Sequence, residues 1–238
     1  MESFSIIAWL DHAFGLPPSW AGEYMHVTMS VCVLLVITVA SLIAWARLRR
    51  TNGRLIPDNR GSLANIFELL VEGLLRMMTD AMGPSARRHL PLIGALFVYI
   101  LTCNLFGTIP GFTPPTDNIN TNLACALVVF FYYNVAGIWT QGLKKYLKHM
   151  AGPIIWLAPL MFSVEVISHL VRPVSLSIRL FGNIAGDHIV LGIFSYLTPI
   201  LVPIAFEALA IFVAFIQAFV FTLLSVIYLA LATASEEH

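Results

Sequence analysis

Charge is what this sequence has little of. Of its 238 residues only 11% are Asp, Glu, Lys or Arg, while 58% are hydrophobic. That leaves too little polar surface to cover a water-soluble globule of this size, so the chain reads as a membrane protein. Lys and Arg are missing from the first 25 residues, where Glu2, Asp11 and Glu23 stand instead. The basic start of a secretory signal is therefore excluded, and residues 1–26 read as an external N-terminal segment. Cysteine is scarce: Cys32, Cys103 and Cys125 lie in separate apolar stretches, as small packing residues rather than a disulfide or metal site. No phosphate-binding loop pattern occurs, and no internal repeat.

What is present is a series of apolar runs at about 27–46, 90–109, 121–140, 154–192 and 203–232. Each meets the roughly 20 residues needed to cross about 30 Å of hydrocarbon, and helices are favoured because lipid offers backbone groups no partner. The expected fold is an all-α polytopic membrane protein, a single integral membrane domain over 1–238 with five passages. The formal net charge is zero, but it is unevenly distributed. Arg47, Arg49, Arg50, Arg54 and Arg60 follow the first run, Arg87 and Arg88 precede the second, and Lys144, Lys145 and Lys148 follow the third. The stretches 110–120 and 193–202 carry no Lys or Arg. The positive-inside rule then places the N-terminus outside and the Ser235–His238 tail in the cytoplasm. Between the first two passages, residues 62–82 set Asn65, Glu68, Glu72, Arg76 and Asp80 at steps of three and four against an apolar face. This pattern predicts an amphipathic helix on the cytoplasmic surface.

The run 154–192 would extend about 58 Å as a helix, nearly twice the hydrocarbon thickness. It is either two passages broken near Pro173 or one steeply tilted helix. One helix keeps the Arg-free 193–202 loop outside and the C-terminus inside, and is the reading adopted. Within it Glu165, His169, Arg172, Ser175, Arg179, Asn183 and Asp187 follow at steps of three or four, so one face is polar throughout. A charge at mid-bilayer costs roughly 2.5–3.5 kcal/mol on insertion scales, and a stripe of such groups argues for a function. Glu165, His169 and Arg172 also have a plainer reading, as paired or snorkelling groups near the cytoplasmic headgroups. The last passage supplies Glu207 and Gln217. In an antiparallel hairpin over 154–234 whose turn is centred near residue 197 or 198, Asp187 faces Glu207 and Arg179 faces Gln217. Asp187, His188 and Glu207 then cluster towards the outside, Arg179 and Gln217 lie near the middle, and Glu165 and His169 lie towards the cytoplasm. Gln217 also has a structural reading as an interhelical hydrogen-bonding group.

The stretch Pro173-Val-Ser-Leu-Ser-Ile-Arg179-Leu-Phe-Gly-Asn183, followed by Ala-Gly-Asp187 and later by Ile216-Gln217-Ala-Phe and Ile227-Tyr228-Leu, resembles subunit a of F-type ATP synthases. The motif detail covers roughly the last 85 residues, and the topology the whole chain. The Ser-Glu-Glu-His ending is similar to that of bacterial members. The resemblance implies a stator subunit in the bacterial inner membrane, beside a ring of c subunits, a b-type peripheral stalk and other synthase subunits, with no nucleic acid, metal or cofactor and no catalysis of its own. It implies that Arg179 is the stator arginine, Gln217 its neighbour, and Glu165, Ser175, Asn183, Asp187 and His188 part of the ion path. In some relatives the acid and histidine are divided between the two helices differently from Asp187, His188 and Glu207 here, which leaves their separate roles open. The competing class is a self-contained secondary ion transporter, but the paired halves and repeated broken helices of many transporters are not seen. An intramembrane metalloenzyme built on Glu165 and His169 lacks the H-E-x-x-H pattern and further ligands.

Overall fold

The computed structural model describes residues 25–50, 63–109, 112–143, 145–146, 157–197 and 201–234. The N-terminal segment up to residue 24, the centre of the last connection at 198–200 and the Ser235–His238 tail lie outside the described residues. Among the described residues there is helix and no strand. The α-helices among the described residues are α1 (Met25–Arg50), α2 (Leu63–Met82), α3 (Ala86–Phe106), α4 (Ile119–Gln141), α5 (Ala158–Leu197) and α6 (Leu201–Thr233). Among the described residues five stretches are long and apolar enough to cross a membrane: Met25–Ala46, Phe67–Phe106, Ile119–Gln141, Ala158–Phe194 and Val202–Thr233.

Local chemistry sets the helix boundaries. Gly83 takes φ 66, a left-handed backbone that glycine adopts without strain, and a short 3-10 turn at Gly83–Ser85 separates α2 from α3. On α2, Leu74 and Met78 are buried one turn apart, while Glu68, Glu72, Arg76 and Asp80 are exposed and Arg76 lies 3.4 Å from Glu72. The second passage ends at Phe106 rather than 109. The chain turns at Gly107, where a Cβ would come within 2.9 Å of Pro114 Cγ. The Asn118 side chain accepts from the Asn120 backbone N–H at 2.9 Å and so caps the start of α4. Gly142, at φ 79, ends it.

The long apolar run is one helix. α5 holds 40 residues and passes through Pro173 without ending, giving a length of about 60 Å. The alternative of two passages broken at the proline is thus set aside. Pro173 offers no N–H to the preceding turn, and Ser177 Oγ donates to the Pro173 carbonyl at 2.8 Å.

The fold divides into two compact units, one of Met1–Pro115 with Ala208–Phe219 and the other of Thr116–Glu207 with Val220–His238. In the first, Phe97 and Ile93 on α3 are buried, and Phe97 meets Phe215 edge-on at 6.2 Å. Asn104 Nδ2 also donates to the Ala214 carbonyl at 3.4 Å. In the second, α4 packs along α5, and Tyr133, Leu176, Leu180, Phe221 and Leu229 are enclosed. Two contacts in this unit define the antiparallel hairpin. Phe194 stacks on Phe206 at 4.9 Å, and the Arg172 guanidinium carbon lies 5.1 Å from the Tyr228 ring centre. Both pairs are symmetric about residue 200, two or three residues beyond the centre expected from the polar groups. On this register Asp187 and Glu207 are displaced from each other by about six residues, roughly 9 Å along the helix axes.

Close approach at Gly137 secures the end of the second unit remote from the hairpin turn. A Cβ there would lie 2.8 Å from both the Ala232 carbonyl oxygen and Tyr146 Cε2. Gln141 Nε2 donates nearby to the carbonyls of Ala232 and Ala234, at 3.1 and 2.8 Å. Because a backbone atom cannot yield as a flexible side chain can, Gly137→Ala should destabilise this unit by about 1–3 kcal/mol. Thermal unfolding of the purified protein checks this, with a lowered midpoint expected.

Candidate functional site

The polar stripe of α5 does not meet one environment. His169 is buried, Glu165, Arg172, Ser175, Asn183 and Asp187 are half-buried, and Arg179 and His188 are exposed. The helix therefore turns its polar groups from the protein interior near one end to an open face at Arg179.

The interior end forms a closed cluster. His169 Nε2 lies 3.3 Å from Glu165 Oε1, and an Arg172 guanidinium nitrogen lies 3.7 Å from the same oxygen. The other imidazole nitrogen, Nδ1, lies 3.0 Å from the Tyr133 hydroxyl. The Arg172 guanidinium also sits over two aromatic faces, 5.9 Å from the Tyr133 ring centre and 5.1 Å from that of Tyr228. This is the cation–π arrangement that stabilises a partly desolvated cation. Arg172 thus pairs with Glu165 and lies against the rings of Tyr133 and Tyr228. The cluster is a poor metal site, because the carboxylate oxygen facing His169 already has a guanidinium beside it, and a second cation there would be repelled. Among the described residues no group of three His, Cys, Asp or Glu side chains is placed to hold an ion.

Arg179 differs in kind. Its side chain is exposed, and it makes no hydrogen bond or ion pair among the described residues. Its neighbours on the open side are apolar or small. Ile178, next to it in the chain, is 54% exposed, while Gly182 and Gly186 have open space where a Cβ would project. Ser175 and Asn183 flank Arg179 one helical turn to either side.

Towards the other end, His188 Nδ1 lies 3.9 Å from Asp117 Oδ2, on the short 3-10 turn Pro115–Asp117 that precedes α4. Asp187 and Glu207 are half-buried, on α5 and α6. Gln217 is buried in the first unit, at 4% exposure.

Sequence reasoning missed Tyr133, Tyr228 and Asp117. Tyr133 sits in an apolar run where aromatic residues are ordinary, and Asp117 sits in a loop where an acid is unremarkable. Neither carries a periodic signal. The one available cue was Tyr228, within the Ile227-Tyr228-Leu motif.

The architecture and the site define a class first: a multi-pass helical membrane protein whose longest helix carries a partly buried cluster of Glu165, His169 and Arg172 and an exposed arginine. The comparisons narrow it. Residues 27–230 match the ATP synthase A chain family, and the chain belongs to that family. It is 47% identical over 209 residues to ATP synthase subunit a 1 of Syntrophotalea carbinolica, covering 88% of this chain and 86% of that one. It is 49% identical over 220 residues to ATP synthase subunit a of Trichlorobacter lovleyi, with coverage of 92% and 90%. Against the Bdellovibrio bacteriovorus subunit a it is 42% identical over 222 residues, covering 93% and 96%.

If Arg172 and Glu165 act as one unit, their replacement energies will not add. A double-mutant cycle with Glu165→Gln and Arg172→Gln, read by thermal unfolding, should give a coupling energy of about 1 kcal/mol. The expectation is discounted for the part of the carboxylate that solvent reaches. Additive effects would show that the two charges ignore each other.

Proposed function

We propose that this chain is the stator subunit of the membrane sector of an F-type ATP synthase, conducting protons to and from the carboxyl groups of a rotating ring of c subunits. The observation that carries this reading is Arg179. A cation in an apolar helix is expensive unless it meets water, an opposite charge or protein interior, and Arg179 has no counter-ion among the described residues. Its open, small-residue face suits the close approach of another apolar helix. A carboxyl group brought there by a moving partner supplies the missing charge, and the nearby cation favours its ionised, proton-releasing form. Arginine suits the task because it keeps its own proton at any working pH, so it neutralises a passing carboxylate without relaying the proton onward.

In this reading the hairpin over 154–234 carries the path. Asp187, His188 and Glu207 line the outer half-channel, with Asp117 beside His188. Glu165 and His169 line the inner half-channel. Ser175, Asn183 and Gln217 complete the polar groups of the middle section. Arg179 interrupts the direct route between the halves, so a proton crosses only by riding the ring. Each proton moving down 100 mV releases about 2.3 kcal/mol, which rotation delivers to a separate catalytic sector. The chain itself is non-catalytic. Its partners are the c ring, a b-type peripheral stalk and other synthase subunits. Its setting is the bacterial inner membrane, with the N-terminus outside, the C-terminus in the cytoplasm, and the helix at 62–82 on the cytoplasmic surface. The names of its relatives, all ATP synthase subunit a, support the reading.

Arg179→Ala in the complete complex, reconstituted in vesicles, should abolish proton-driven ATP synthesis, and Arg179→Lys should not restore it fully because ammonium lacks the planar delocalised cation. Normal synthesis by the alanine variant would overturn the proposal. Protons are assigned as the coupling ion because histidine and carboxyl groups line the path. Synthesis driven by a sodium gradient in the presence of a protonophore should therefore be absent.

A further inference from the structure

Tyr133 is the most enclosed side chain of the inner cluster, at 1% exposure, and comes from α4 rather than α5. Its hydroxyl is 3.0 Å from His169 Nδ1, while Nε2 on the same ring is 3.3 Å from Glu165 Oε1. Each imidazole nitrogen thus has one fixed neighbour, and the two neighbours differ. A phenol can donate or accept, whereas an ionised carboxylate only accepts. All three groups are satisfied together when the Tyr133 hydroxyl donates to Nδ1 and Nε2–H donates to Glu165. The opposite tautomer would set the bare Nε2 against the carboxylate oxygen, two acceptors facing each other. The bond made by one ring nitrogen decides where the proton sits on the other.

We propose that Tyr133 is a positioning residue of the inner ion path, whose hydroxyl holds His169 as the Nε2–H tautomer and so keeps a hydrogen-bond donor on Glu165 Oε1. Both His169 and Arg172 engage that oxygen, which leaves Oε2 as the oxygen that takes a passing proton. The proton binds Oε2 to form the neutral acid and later leaves from it. Meanwhile Tyr133 and His169 keep their own protons, and Oε1 keeps its two partners. The inference rests on the proposal that Glu165 and His169 line the inner half-channel. The groups facing His169 are Glu165 and Arg172 on its own helix and Tyr133 on α4. Tyr228 on α6 lies beyond the shared arginine, and Tyr146 interacts electrostatically with Glu165 and Arg172.

Tyr133→Phe isolates the hydroxyl, because it retains the ring that packs against His169 and underlies Arg172. The complete complex carrying 15N-histidine in this subunit is compared with the variant by solid-state NMR and by ATP-driven proton pumping in vesicles. The wild type should show His169 with a proton on Nε2 and a bare Nδ1. The variant, assembled in normal amounts, should show a mixture of tautomers. Its pumping should fall about 3- to 10-fold, the value of one net hydrogen bond, and its pH–rate profile should be displaced. An unchanged tautomer in the variant would overturn the positioning role, and so would a changed tautomer with unaltered pumping and pH profile. Failure of the wider reading shows separately, as undiminished pumping by Arg179→Ala, since the tautomer measurement does not depend on it.

Discussion

A charged side chain on a helix that crosses lipid needs compensation, and the two arginines of α5 meet this need in opposite ways. Arg172 finds it inside the chain, from the Glu165 carboxylate at 3.7 Å and the faces of Tyr133 and Tyr228. With His169 neutral, the cluster carries no net charge, and its desolvation cost is offset by contacts from three helices. Arg179, about two turns further along, has no such partner among the described residues. Insertion of an uncompensated arginine costs roughly 2.5–3.5 kcal/mol, which a folded subunit can bear only if the rest of its packing supplies it. The close fit of α4 against α5 and the aromatic contacts between the hairpin arms are where that support is found.

What could be read from the sequence follows from what periodicity encodes. Hydrophobic run length and the distribution of Lys and Arg report how one segment relates to lipid, so the five long apolar helices were legible from residues alone. The steps of three and four from Glu165 to Asp187 report one helical face, and α5 is a single helix through all of them. Contacts between distant segments leave no such trace. Tyr133 reaches His169 across 36 positions, and Asp117 reaches His188 from a separate loop. The turn centre was misplaced for a related reason: aligning polar groups assumes that they face one another, whereas the hairpin in the second unit is set by packing, with Phe194 on Phe206 and Arg172 on Tyr228.

The stacking of Phe194 on Phe206 also bears on the acids nearest the hairpin turn. It fixes the two arms close to their turn and leaves Glu207 nearer that turn than Asp187. The acids expected as one cluster are therefore spread along the axis. Asp117 lies beside His188, its Oδ2 3.9 Å from Nδ1, so the two residues link the turn before α4 to α5.

Helix geometry explains how one stripe reaches both the interior and an open face. At 3.6 residues per turn a four-residue step advances about 40° around the helix, and a three-residue step retreats about 60°. The consecutive three-residue steps from His169 to Arg172 to Ser175 therefore swing the stripe about 120° away from the face on which His169, Pro173, Leu176 and Leu180 are buried. The four-residue steps through Arg179, Asn183 and Asp187 then bring it back by degrees. Arg179 falls on the returning arc, past the edge of the packed face and beside the exposed Ile178 and Gly182. Had the spacing been four throughout, the stripe would have turned steadily in one direction and carried its later charges across the packed face. The pair of short steps is what lets His169 be enclosed and Glu165 half-buried while Arg179, on the same helix, stays exposed.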